Sequence, residues 1–524
     1  MSAMAKTVVE KAEQFLDSHN PADGSVVGSA RVSSRDEVFK AVADAREAHD
    51  LWRRISFSER RRIVMRARQA IIQETEEIAR LISKEMGKPV AEAISMEIAP
   101  VLDLMQYFAK NSKKLLKPKR RGIGLLALFG RSSTIVNKPL GVIGIISPWN
   151  FPFSIPLGEV VMAIMAGNSV VLKPSELTPL TGLKIAEIFE TAQLPKNVLH
   201  VVSGGGDVGA ALVDARPDKV MFTGSVATGR KIAAKAGENL TPVVLELGSK
   251  DPMVVFKDAD LDKASSAAVW GAFSNAGQAC ASVERLFVEE DVYERFLELL
   301  VEKTDALKLG VGTDPENDLG AMSSARQKEI VEGHVAAFRE SGAEILTGGE
   351  SDDSNFYPPT VISGADNSMV PMREETFGPT LPVASFETED EAVDLANDTE
   401  FGLTASVWTK DIKRGRRVAE KIVAGTVMVN EVVYTHGIGQ TPWGGFKNSG
   451  FGRTHGVEGL MEMVATQHIH VNRFYFLPDI WWFGYSESAL ESFKEMTRTY
   501  STGSLLRTIP FMPRMLKRLR ELMK

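Results

Sequence analysis

Residues 142–147 read VIGIIS, and the chain after them repeats the theme: SVVLKPS at 169–175, LHVVSG at 199–204, KVMFTG at 219–224 and VVLELG at 243–248. Helical patterns lie between these short apolar runs, one reaching Ile164, one over 180–191 and one in SVATGRKIAAKAG at 225–237. Strands that are apolar on both faces and alternate with helices predict a parallel, doubly wound sheet, because helices on both sides are needed to bury both faces. Such a sheet is a nucleotide-binding architecture, with its ligand at the carboxyl ends of the strands.

A second alternating series begins at DPMVVF (251–256) and runs through ERLFVEE (284–290), TASVWT (404–409) and TVMVN (426–430), which predicts a separate α/β domain. Ahead of the first series, 36–51 and 58–86 carry apolar residues at helical spacing among many charges and read as surface helices. Residues 123–135 are apolar and β-prone, and are either a strand arm reaching outward or an edge strand of the main sheet. From Val471 aromatics crowd together in RFYFLPDIWWFGY (473–485), and the chain closes on a basic end.

With 524 residues, 44% hydrophobic and 25% charged, the chain is long enough for two or three domains with real cores. A net charge of -7 argues against nucleic acid as the main ligand, since phosphate binding needs a basic face. Residues 1–24 lack the basic-then-apolar pattern of a secretory signal, and even GIGLLALFG (122–130) is too short to span a bilayer. A cytoplasmic protein is the expectation.

The single cysteine, Cys280, cannot form an intrachain disulfide, and a lone buried thiol is ordinarily a small hydrophobe. Its surroundings, GAFSNAGQACASV (271–283), offer another reading. Ala276, Gly277, Ala279 and Ala281 clear space around the sulfur, as a nucleophile requires. Glu246 closes the apolar strand VVLELG, where a carboxyl needs work or a partner, so it is either a general base of raised pKa or a salt-bridged structural acid. Asn150, in SPWNFP (147–152), is either a turn cap or, with the amide of Cys280, an oxyanion donor. In FTGSVATG (222–229), Gly224, Ser225 and Gly229 sit where a strand meets a helix, either to ease the turn or to receive a phosphate on free amides. Lys173 and Glu176, in KPSE, are either a solvated pair or a clamp for ribose hydroxyls, and a carboxylate there would favour NAD over NADP.

PWNFP, KPSE, FTGSVATG, LELG (245–248), GQAC (277–280), EETFGP (374–379) and PWGGFKNSGFGR (442–453) occur in the order and with the spacing of the NAD(P)-dependent aldehyde dehydrogenase superfamily, which the chain resembles up to about Val471. That resemblance implies an α/β fold with a Rossmann-like parallel-sheet cofactor domain (1–120 and 139–246), an α/β catalytic domain (247–450), and a small β oligomerisation arm (121–138 and 466–476). Residues 477–524 form an extension beyond the usual family end. It implies Cys280 as nucleophile, Glu246 as general base and Asn150 as oxyanion donor. Lys173 and Glu176 would hold the adenosine ribose, Ser225 the pyrophosphate and Glu375 the nicotinamide ribose, with Phe377 beside the nicotinamide and Trp149 lining the cofactor cleft. No metal is implied. The expected cofactor is NAD, with NADP less favoured, and the expected assembly a homodimer or homotetramer.

The implied activity is oxidation of an aldehyde to its acid through a thiohemiacetal and a thioester, which avoids direct expulsion of hydride from a gem-diol. Acyl transfer to coenzyme A and a retired, NAD- or membrane-binding scaffold are the alternatives; Glu246 speaks for hydrolysis, and retention of Cys280, Glu246 and Asn150 speaks against a scaffold. For the thiol to attack, its surroundings should lower its pKa or Glu246 should take its proton.

The chain departs from the family in three places. The common LELGGK reads LELGSK, with Ser249. Where many members place a lysine and a glutamate linked as a proton path, this chain has Glu159 and Val457. The substrate pocket is expected from Phe153, Ile155 and the loop 434–438, without an arginine to clamp a second carboxylate, which points to an aromatic, medium-chain or long-chain aldehyde; His436 reads as a packing residue. In PRMLKRLRELMK (513–524), Met515, Leu516, Leu519, Leu522 and Met523 share one helical face, opposite Arg514, Lys517, Arg518, Arg520 and Lys524. Such a basic amphipathic helix, with Trp481, Trp482 and Tyr485 nearby, would suit the inner face of a membrane, a partner subunit or the substrate mouth.

Overall fold

In the computed structural model, which describes residues 13–501 and 512–523, the strand Val142–Ile146 is fully buried near the middle of a six-stranded sheet. The order across that sheet is Gly450–Phe451, Val243–Glu246, Lys219–Thr223, Val142–Ile146, Ser169–Lys173 and Leu199–Val201. All neighbours run parallel except the short first strand. From Val142–Ile146 the chain builds outward in one direction through Ser169–Lys173 and Leu199–Val201, then returns to add Lys219–Thr223 and Val243–Glu246 on the other side. The gap between the carboxyl ends of Val142–Ile146 and Lys219–Thr223 is therefore a topological switch point, the place where open α/β sheets bind ligands.

A seven-stranded sheet follows, in the order Glu344–Thr347, Thr360–Ser363, Thr380–Phe386, Val283–Glu289, Asp251–Val255, Thr404–Trp408 and Thr426–Val429. Only its first pair is antiparallel. Alternate residues go to opposite faces, as the two-residue period of a strand demands: Met253, Val255, Leu286 and Val288 join one core, and Val254, Phe287 and Ile362 the other. Each such buried side chain stabilises the fold by roughly 1.5–3 kcal/mol.

The chain passes from the first sheet to the second in four residues, Leu247–Lys250. Glu246 ends one strand and Asp251 begins the next. The carboxyl ends of the first sheet's strands and the amino ends of the second sheet's strands thus converge on one region.

The surface pattern 58–86 is two helices, Phe57–Gln73 and Thr75–Met86. The Thr75 hydroxyl donates to the carbonyls of Ile71 and Ile72, competing with the backbone ladder where Glu74 leaves helical geometry. The run 123–135 is not one strand. Gly124–Phe129 forms a 3-10 turn closed by left-handed Gly130, and the strand is Arg131–Pro139.

That strand belongs to a second compact unit, Leu116–Lys138 with Ala465 onward; the first is the chain up to Leu115 with Pro139–Val464, which holds both large sheets. The second unit has a three-stranded sheet in the order Val464–Asn472, Arg131–Pro139, Lys119–Arg121, and the helices Glu487–Ser501 and Met512–Leu522. The faces of the last helix differ from the expected ones. Arg518 is buried and donates to the carbonyls of Ile480, Trp482 and Gly484, while Leu516 and Met523 are exposed. Packing against a turn with unsatisfied carbonyls draws the guanidinium inward, at the expense of two apolar side chains. Residues 1–12, 502–511 and Lys524 lie outside the described residues.

Candidate active site

Cys280 precedes the strand Val283–Glu289 and ends a turn made of unusual backbone. Asn275, Ala276 and Gly277 all have positive φ, 55°, 53° and 70°. Gly277 cannot carry a side chain, since a Cβ would collide with the carbonyl oxygen of Gly378. The strain at the two non-glycine positions persists because the turn is tied down from several directions. Both oxygens of Glu92 accept the Asn275 amide at 3.0 Å, Asn275 Nδ2 donates to the carbonyls of Asn150 and Gln278, and Gln278 Oε1 accepts the Ser323 amide at 2.9 Å. Burial pushes the Glu92 carboxyl up to about 7.

The loop 148–152 is held by a buried ion pair. Lys88 Nζ lies 2.8 Å from Glu97 Oε1 and 2.7 Å from the Asn150 carbonyl, and above the Phe151 ring. Glu97 Oε2 in turn accepts the amides of Phe153 and Ser154, the orphan donors that open the helix Ser154–Ala166. Glu97 sits on a π-helical turn, Ala93–Ile98. Asn150 Nδ2 donates to the Gln278 carbonyl at 2.9 Å, which fixes its amide beside the cysteine turn and leaves its second hydrogen for an oxygen developing charge in the cleft.

Cys280 is partly exposed and borders three cavities. The first, about 810 Å³, opens at the switch point and is lined by Pro148, Trp149, Thr223, Gly224, Ser225 and Gly248, with Asn150, Glu246, Glu375 and Phe377. Ser225 caps the helix Val226–Glu238, its hydroxyl accepting the Thr228 amide, so the positive end of that helix faces the cleft. Trp149 and Phe377 meet edge to face at 5.5 Å. Glu375 Oε1 accepts the Ser249 amide at 2.8 Å, and burial, reinforced by Glu284, pushes its carboxyl up to about 8. A helix terminus, small residues that let backbone approach, and flat aromatic walls fit a dinucleotide. Lys173 and Glu176 pair with each other at 3.1 Å and Gly229 packs against Leu247; none of the three lines the cleft.

The second cavity, about 850 Å³, is apolar: Met96, Pro100, Phe151, Ile155, Trp270 and Tyr434 line it, with Val433, His436 and Trp443. No arginine or lysine is among its lining residues. Phe153, expected here, is fully buried elsewhere, because the chain turns into the helix at this point and presents Phe151 and Ile155 instead. The third cavity, with room for about one water molecule, adjoins Cys280 and is lined by Glu246 and Glu159.

Glu246 ends its strand with neither carboxyl oxygen hydrogen-bonded, and burial together with nearby Glu159 holds its carboxyl well above the usual range. The thiol was expected to be lowered by its surroundings or relieved of its proton by Glu246. The first route does not hold: burial and the acids Asp251, Glu246 and Glu375 push the Cys280 thiol up. His436 packs edge to face on Trp443 and beside His455, and burial lowers it to about 4. Ser249 bonds Asp251, whose other partner is Thr404.

Lys88, Glu92, Glu97 and Asn275 escaped the sequence reading. A signal for Glu92 and Glu97 was there, as acids interrupting the apolar run that follows the Gly87-Lys88-Pro89 break.

A family model described as the aldehyde dehydrogenase family matches residues 8–469. A 4,4'-diapolycopene aldehyde oxidase from a Methylomonas species is 40% identical, over 91% of this chain and 89% of its own. Betaine aldehyde dehydrogenase from Bacillus subtilis is 38% identical, over 88% and 94%. Among solved structures, an NAD-dependent aldehyde dehydrogenase from Sinorhizobium meliloti superposes with a TM-score of 0.86 at 39% identity, covering 90% of this chain and 93% of that one.

Proposed function

The chain belongs to the aldehyde dehydrogenase family, and on that premise we propose that it oxidises an apolar aldehyde to the carboxylic acid with NAD, by way of a thioester on Cys280. The observation that carries this reading is the position of one sulfur where a dinucleotide-shaped cleft, an apolar cavity and a chamber holding an unpartnered carboxyl all meet.

The bound nicotinamide would supply the hydride acceptor; Trp149, Ser225, Glu375 and Phe377 would hold the dinucleotide. The Cys280 sulfur bonds to the aldehyde carbon, its proton passing to Glu246, while Asn150 Nδ2 and the Cys280 amide stabilise the oxyanion. Once hydride has left and Glu246 has passed on the thiol's proton, it takes a second proton from water, and the hydroxide displaces the thiolate from the thioester. Glu246, set behind the sulfur, favours water over coenzyme A as the acceptor. Glu176 at the carboxyl end of its strand favours NAD over NADP.

The apolar lining favours a hydrophobic aldehyde over a semialdehyde carrying a second carboxylate. A panel of aliphatic and aromatic aldehydes of increasing length, with succinic semialdehyde and betaine aldehyde, and with NAD and NADP in parallel, tests this. kcat/KM should rise about fourfold per added methylene until the cavity is filled, as the transfer of each CH2 from water predicts. A preference for either charged aldehyde contradicts the assignment.

Two further elements of this reading lie in the second unit. Val464–Asn472 is an edge strand with exposed side chains, open to pairing with another copy in a homodimer or homotetramer. Trp482, Phe483 and Tyr485 are at least half exposed, and Arg514, Lys517 and Arg520 are exposed on the helix Met512–Leu522, a combination suited to an anionic membrane surface. No described helix is long and apolar enough to cross a membrane. Full-length protein should float with vesicles containing anionic phospholipid, and a truncation after Tyr475 should not; equal behaviour of the two contradicts membrane attachment.

A further inference from the structure

Glu159 lies midway along the helix Ser154–Ala166, every residue of which is buried. A carboxyl in such a helix costs several kcal/mol unless it is paired or neutral, yet Glu159 Oε2 has no hydrogen-bond partner. It lines the chamber behind Cys280 with Glu246, whose two oxygens are also unpartnered, and with Thr223, Thr454, His436 and His455. Both carboxyls are more than nine-tenths buried. The chamber has room for water, and water is what orphaned buried oxygens of this kind bind. His436 and His455 stand 4.7 Å apart, ring centre to ring centre, and His436 also lines the apolar cavity.

We propose that Glu159 is the proton acceptor for Glu246, returning it to a carboxylate after each proton it takes up, by way of water in the chamber they share. The inference rests on the function proposed above. After hydrolysis, the Glu246 carboxyl gives its proton through a chamber water to the Glu159 carboxylate. The Glu159 carboxyl then releases it to water in the chamber. No electrons move, and the one proton produced by thioester hydrolysis leaves the site. Glu159 touches neither substrate nor cofactor and is a positioning residue that acts through Glu246.

The surrounding charges agree with this. Glu246 feels Glu159 and, in the opposite sense, Arg453. Burial brings Glu159 to about 8, and keeps His436 and His455 neutral. From the elements packed on the helix, Glu97 reaches only its first amides and Arg60 only the Met165 carbonyl near its end, while Tyr107 is raised by burial and by Glu458.

The test compares wild type with Glu159→Gln, Glu159→Leu and Glu159→Asp, following NADH formation from an aldehyde in rapid mixing and in steady state across pH. Gln and Leu should keep the initial burst and KM but lower kcat about tenfold, within the range of a lost proton-transfer group. The acid limb of kcat should move to lower pH, because the charge that raises Glu246 is gone. Asp, which keeps an ionisable group in the chamber, should restore the wild-type limb. Unchanged kcat in Gln and Leu, or an equal fall in all three variants with the limb unmoved, overturns the relay and makes Glu159 a packing residue. Wild-type protein that forms no NADH from any aldehyde would instead refute the underlying function.

Discussion

Replacing Cys280 by alanine should lower aldehyde-dependent NADH formation by at least about 1,000-fold while NAD affinity stays within about twofold, because the covalent route is lost and nothing else is. The sulfur is one of many groups on the dinucleotide cleft wall, and the loops that shape that cleft are held by other bonds: Lys88 to the Asn150 carbonyl, Glu92 to the Asn275 amide and Glu284 to the amides of Thr376 and Phe377. Alanine at 280 disturbs none of them. Steady-state turnover with NADH fluorescence, beside an NAD titration of the same variant, separates the two effects. Retained turnover would show that the thiol is not the nucleophile.

Glu246→Gln should act at a different step. The substitution removes the base for hydrolysis, so steady-state turnover should fall by about 100-fold or more. It also removes one of the acids that hold the thiol protonated, so at alkaline pH the first NADH per subunit should still appear in a burst. The sign of the pH dependence follows from the same groups. Both Glu246 and Cys280 are raised above their ordinary values, and each works in its ionised form, so wild-type activity should climb from neutral to moderately alkaline pH. The Gln variant should lose the part of that climb that belongs to hydrolysis. A variant with no burst and no turnover at any pH would make Glu246 indispensable to the attack of the thiol, and not to hydrolysis alone.

The two sheets were legible because fully buried parallel strands leave continuous β-branched runs, and VIGII and PMVVF can hardly be solvent-facing. The residues around the thiol were legible from short motifs, each of which the fold delivers to a loop at a strand end. What could not be read was any property set by distant partners. Lys88, Glu92 and Glu97 lie past the last surface-helix pattern, and their burial against 150–154 and 275 depends on contacts between segments far apart in the chain. Phe153 and Phe151 are two residues apart, and which of them meets the cavity is decided by where the helix begins. Helical period puts Arg518 on the basic face, opposite the apolar side chains, but three carbonyls of a neighbouring turn draw it inward. The thiol's pKa failed for the same reason: small neighbours make room around sulfur, while its charge state depends on its burial and then on the acids at 251, 246 and 375.

The most direct measurement is the intact and peptide mass of Glu246→Gln, quenched in acid after the burst with an apolar aldehyde and NAD. One acyl group per subunit, carried on the peptide that contains Cys280, is the predicted result. NADH release without an adduct, or an adduct on any other residue, would contradict a thioester at this sulfur.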